Sequence, residues 1–95
     1  MELVESVYRV TQLFPKQEIY GLTSRLRRAA VSHPANIAEG QSRQHLKEYL
    51  HFLSMAQGSV GELETELEMA GRRHYIDPGT LDPPLTAALE KSKQP

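Results

Sequence analysis

Ninety-five residues with 39% apolar content and no cysteine fit one domain that withdraws roughly 60 to 65% of its unfolded surface from water. Neither a disulfide nor a thiolate zinc site reinforces so thin a core, so self-association is expected to add burial. A formal net charge of −1 excludes the strongly basic balance of a general nucleic-acid binder. No leader-like start and no apolar run near the roughly 18 residues of a membrane span occur, which predicts a soluble, cytoplasmic protein with no membrane partner.

In chain order, the pattern predicts four helices, over residues 2–13, 19–39, 44–74 and 80–91, in a single domain covering 1–95. Leu3, Val7, Val10 and Phe14 line one face of the first, which ends before Pro15. Leu22, Leu26, Ala29, His33 and Ile37 continue such a stripe through the second, which stops at Gly40. Pro34 interrupts that stretch. A proline removes the hydrogen bond to the carbonyl four residues back, here Ala30, and costs about 3 kcal/mol in a helix interior. The stripe nevertheless keeps its phase across Pro34, and His33 is a poor cap. One helix kinked at Pro34 is therefore expected. Beside the stripe, Arg28, Ser32 and Asn36 follow at steps of four and Glu39 three later, a set that reads either as a solvated face or as a structural polar network holding the kink.

The third helix carries the strongest signal. Leu46, Leu53, Val60 and Leu67 fill one seam position of a heptad, and Tyr49, Ala56, Leu63 and Ala70 fill the other. At about 1.5 Å per residue this helix is far longer than the first, so part of the seam lacks a partner in its own chain and predicts an oligomer. Asp77-Pro78-Gly79 is turn chemistry, and Pro83-Pro84 precedes a short last helix. The fold class is all-α: an antiparallel up-down four-helix bundle with shortened first and last helices, oligomeric.

FPKQEIYGLTSRLRRAAVSHPANIAEG, residues 14–40, the serine and arginine of QSR, and EYLHFLSMAQGSVGELETELEMA, residues 48–70, together resemble the four-helix bundle proteins encoded in 23S rRNA intervening sequences, also labelled S23 ribosomal protein. The resemblance covers roughly residues 3–77. It rests on Phe14, Pro15, Glu18, Tyr20, Gly21, Leu22, Arg27, Arg28, Ala29, Ser32, Pro34, Asn36, Ile37, Ala38, Glu39, Gly40 and Arg43, then Gly58, Ser59, Glu62, Leu63 and Glu64. It implies an antiparallel four-helix bundle assembling as a homopentamer, in a family whose biochemical role is not established. The family is also similar to accessory bundle proteins of diversity-generating retroelements, which are thought to bind nucleic acid. This chain departs from the pattern in its short first helix, its short proline-bearing last helix, and His33 where isoleucine is usual.

Charge is unevenly placed. Arg25, Arg27, Arg28, Arg43 and Lys47 oppose only Glu39 between residues 22 and 47, whereas residues 48–70 hold five glutamates and no base. The cations are the candidate nucleic-acid-binding residues, toward RNA or a ribonucleoprotein, although nearby acids weaken a phosphate-attracting field. The competing expectation is pairing between helices or subunits, with Leu63, Glu62, Glu64, Glu66 and Leu67 as the pairing set. A hairpin turning at Gly40 places Arg25 level with Gly58 and within reach of Glu62. No metal site is expected: Glu48-x-x-His51 copies half of a di-iron motif, and no second Glu-x-x-His occurs. No nucleophile has a base at recognisable spacing, and no phosphate loop or small-molecule site is evident. The expected function is a non-catalytic, cofactor-free oligomeric scaffold that binds RNA or a ribonucleoprotein through the second helix. The alternative is a protein interaction module whose charges serve only assembly.

Overall fold

The computed structural model describes residues 2–77 and 82–94. Four α-helices account for most of them: α1 (Glu2–Thr11), α2 (Leu22–Gln41), α3 (Leu46–Arg72) and α4 (Pro83–Ser92), with a 3-10 turn at Lys16–Glu18. No strand occurs among the described residues. The expected turn at Pro78–Gly79 and the expected start of the last helix at residue 80 lie outside the described residues.

Leu3 and Val7 bury the inner face of α1, and Phe14, beyond the helix end, joins the same core as a loop residue. Leu22, Leu26, Ala29 and Ala30 of α2, Leu63, Leu67 and Ala70 of α3, and Leu85 and Ala88 of α4 complete it. Helix α2 runs unbroken through Pro34. It ends at Gln41, and four residues then lead to Leu46. That extra length corrects the expected register. Ser32 meets Ser59, His33 meets Ala56, and Gly40 meets Phe52, so later residues of α2 pair with earlier residues of α3. Arg25 accordingly comes under the field of Glu66 instead of lying level with Gly58.

One glycine expectation also changes. Gly40 is buried inside the last turn of α2, where a Cβ would approach the Phe52 Cβ to 3.1 Å, so its role is close helix packing instead of helix termination. Gly58 and Gly61 lie inside α3, and a Cβ on either meets nothing within 4 Å. Helix α3 ends in a Schellman motif: Tyr75 N–H donates to Ala70 O at 2.9 Å and His74 N–H to Gly71 O at 3.0 Å, with His74 at φ 62°.

The core is confined to one end of the molecule, whose extents are 44 × 25 × 19 Å. Between residues 31 and 55 no side chain belongs to it. Ten-residue α1 and α4 span about 15 Å each, against about 40 Å for α3. The far halves of α2 and α3 therefore project as an arm that neither short helix covers.

Candidate functional site

At the core end, the chain is tied together by Glu18. The 3-10 turn aims its carboxylate at the start of α2, where Oε1 accepts from Leu22 N–H at 3.1 Å. This supplies the N-terminal cap that Gly21 cannot. A Cβ on residue 21 would stand 2.8 Å from that oxygen, which explains the glycine. Oε2 accepts from the Tyr75 hydroxyl at 2.7 Å, and Tyr75 packs its ring 5.4 Å from Phe14. The Tyr75 hydroxyl, then the Leu22 amide, hold the Glu18 carboxyl below the usual carboxylate range. Sequence spacing gave no hint of this hub, because its partners are 57 positions apart.

Between α2 and α3 runs a polar seam. Asn36 Nδ2 donates to Ser32 O at 2.9 Å and to Ser32 Oγ at 3.0 Å, and Ser59 Oγ donates to Ser32 Oγ at 2.8 Å. Two members of the expected network, Ser32 and Asn36, thus meet each other and recruit Ser59. Arg28 lies on the Glu66 side of the seam, and Glu39 pairs with Arg43 instead. His33 Nδ1 lies 3.2 Å from Ala56 O; since a carbonyl only accepts, Nδ1 carries the hydrogen there.

Glu66 is the electrostatic anomaly of the seam. It is only 6% exposed, and its Oε2 has no hydrogen-bond partner among the described residues. Burial first, and then Glu62, push its carboxyl up, while Arg25 and Arg28 pull it down less. Glu66 belongs to the set expected to pair helices or subunits, and its side chain is buried within its own chain. Leu63 and Leu67 likewise belong to the chain's own core. Glu64 binds Lys93, which caps the end of α4, at 2.8 Å, and Glu62 lies exposed beside Glu66.

The five candidate cations do not form one surface. Arg25, Arg27 and Arg28 lie near the core end of α2, whereas Arg43 and Lys47 lie at the tip of the arm. Thirteen helical steps, about 20 Å, separate Arg28 from the end of α2 at Gln41, beyond which Arg43 lies. At the tip, Arg43 pairs with Glu39, comes within 3.8 Å of Glu48, and covers the Phe52 ring at 4.9 Å. At the core end, Arg27 Nε donates to Thr11 Oγ1 at 2.9 Å, and its guanidinium stacks over Tyr8 at 4.4 Å.

The arm leaves much of the seam open. Leu46 is 71% and Leu50 49% exposed, Met55 is also exposed, and Tyr49, Phe52 and Leu53 are half-buried. The seam is divided along its length: Leu46 is exposed and Tyr49 and Leu53 are half-buried, whereas Ala56, Val60, Leu63, Leu67 and Ala70 are buried in their own chain. Among the described residues no cluster of three or more His, Asp or Glu side chains could hold a metal ion. No helix there is long and apolar enough to cross a membrane.

Helices that bury their apolar stripes on each other, with no strand among the described residues, define an all-α helical bundle protein. The chain belongs to the 23S rRNA-intervening sequence protein family, whose profile matches residues 1–94. No curated protein matches the chain.

Proposed function

We propose that the protein is a cytoplasmic, non-catalytic scaffold: an antiparallel four-helix bundle that assembles into a homo-oligomer through the arm of α2 and α3. The observation that carries this reading is the arm itself, where Leu46, Leu50 and Met55 are exposed over a stretch that contributes nothing to the core. Leu46 and Leu50, four residues apart, share one helix face and suit a helical partner, while Met55 lies on another face of α3. The rim of the arm holds Glu39, Arg43, Lys47 and Glu48, both signs in one place, which suits a second copy of the same surface once Arg43 trades its own-chain partners for those of a neighbour. A closed ring of five is the size that the family resemblance implies.

Light scattering and sedimentation test this directly. The wild type is expected to run as a multiple of 10.7 kDa, and Leu50→Glu as a smaller species with unchanged helical circular dichroism. A monomeric wild type, or an unaltered oligomer in Leu50→Glu, rejects assembly through the arm. Leu50 is the position to substitute because it is exposed, whereas a charge at Leu63, fully buried in its own chain, is expected to unfold the protein.

A second reading is that the scaffold also docks RNA or a ribonucleoprotein through α2. It is supported by the groove beside Arg27 and Arg28, whose lining holds no acidic residue. A low-salt mobility shift with unfractionated RNA tests it: no retained RNA, or retention indifferent to loss of both arginines, removes it.

A further inference from the structure

The groove between α1, the 3-10 turn and α2 has a composition unlike the rest of the surface. Tyr8, Ile19, Tyr20 and Val31 line it together with Arg27 and Arg28, around a volume of about 480 Å³. Scattered exposed apolar residues are ordinary. Here, however, four of the nine large hydrophobic side chains that are exposed among the described residues share one groove. Tyr20 is 95% exposed, so both faces of its ring are open to a flat partner. Arg27 is held over Tyr8 by its bond to Thr11, whose own hydroxyl donates to Val7 O at 2.7 Å. The guanidinium is thereby fixed as a cationic plane before any ligand arrives. Glu66, the carboxylate whose field reaches Arg28, belongs to α3 and lies outside the lining.

We propose that this groove binds unpaired nucleic acid, stacking a base on Tyr20 and seating the adjoining phosphates on Arg28 and Arg27; the proposal rests on the RNA-docking reading and deepens it. Two chemistries point the same way. Aromatic rings and arginine planes accept any unstacked base, and cations beside them track the phosphate backbone. A duplex keeps its bases stacked on each other and offers Tyr20 no face, so the groove selects single strands. Arg43 and Lys47 take no part, being at the far end of the arm.

Fluorescence anisotropy with labelled 12-nucleotide oligo(U), oligo(dT) and a 12-base-pair duplex tests the proposal on the full chain at low and moderate salt. Wild type is expected to bind both single strands more tightly than the duplex, and a preference between the first two reports whether RNA or DNA is favoured. Tyr20→Ala is expected to weaken single-strand binding about fivefold or more, the low end of stacking losses, and Tyr20→Trp to restore it. Arg28→Ala should lower the salt dependence by about 0.7 in log–log slope, the share of one single-strand phosphate. No binding by the wild type overturns both this proposal and the docking reading. Binding that is equal for duplex and single strand, or indifferent to Tyr20→Ala, overturns the groove alone and leaves docking elsewhere. If Tyr20→Ala instead shrinks the oligomer and spares oligonucleotide binding, the groove is a contact between copies and the proposal fails.

Discussion

Substituting glutamine for Glu66 isolates the cost of the buried carboxylate in the α2–α3 seam. The side chain is 6% exposed with Oε2 unpartnered, and leaving a buried polar group unsatisfied costs about 1–3 kcal/mol. Arg25 and Arg28 offset part of that cost, though burial and Glu62 outweigh them in setting the direction of the carboxyl's shift. Glutamine keeps the shape, removes the charge, and offers an amide that can donate to Glu62. The net expectation is a gain of about 1 kcal/mol at about pH 8. The sign with pH follows from the raised carboxyl. Glu66 contributes its full stability below the unfolded value of 4.5, and that contribution is lost as pH rises through the higher folded value. The advantage of Glu66→Gln should therefore be near zero at about pH 4 and grow toward neutrality. Urea unfolding followed by circular dichroism, at fixed protein concentration across that range, reads it out. In a domain of this size 1 kcal/mol also moves Tm by about 4–8 °C. A variant that is less stable at about pH 8, or a difference constant with pH, refutes the reasoning.

Glu18 has the opposite sign. Its lowered carboxyl contributes stability that is present above 4.5 and lost as pH falls through the lower folded value. Tyr75→Phe, which removes the largest cause of that lowering, should make acid unfolding begin at higher pH; an unmoved acid transition would show that the hydroxyl does not hold Glu18. Gly58→Ala should stabilise by about 1 kcal/mol, since alanine is the better helix former and its Cβ meets nothing. A loss of thermal stability would mean that Gly58 faces an unrecognised contact. His74→Gly relieves a left-handed residue at the end of α3 and should add about 1 kcal/mol in the same assay; no gain would mean the His74 side chain compensates its backbone cost.

Helical periodicity is a local signal, and it reported local facts well. The stripe from Leu22 to Ile37 showed that α2 continues through Pro34, and the heptad from Leu46 to Ala70 marked α3 as the longest element. Which neighbour buries a stripe is a different question. Val60 and Leu53 occupy equivalent seam positions, yet Val60 is buried and Leu53 only half-buried, a difference that periodicity along one helix does not carry. Register failed for a countable reason: α2 ends one residue after Gly40 and four residues follow before α3. Each error in the turn moves every expected partner along the opposite helix, which is how Arg25 came to be matched with Glu62 before Glu66. Glu18, Tyr75 and Phe14 meet only through the fold. The Tyr8, Tyr20 and Arg27 grouping was equally hidden, since it needs α1 laid against α2.

Pro34 sits where the cover of the short helices gives out, beside Leu3 and Val4 of α1 and Ala88 and Ser92 of α4. Having no amide hydrogen, it leaves the Ala30 carbonyl without its usual helical donor, so the longest-range ladder in α2 is missing a rung at the edge of its support. Helix unwinding that starts at the tip can halt there without disturbing the anchored portion. Amide exchange should consequently sort into two classes, with Ala35 to Gln41 opening cheaply and Leu26 to Ala30 only when the whole molecule melts. A single uniform protection level along α2 would deny that division.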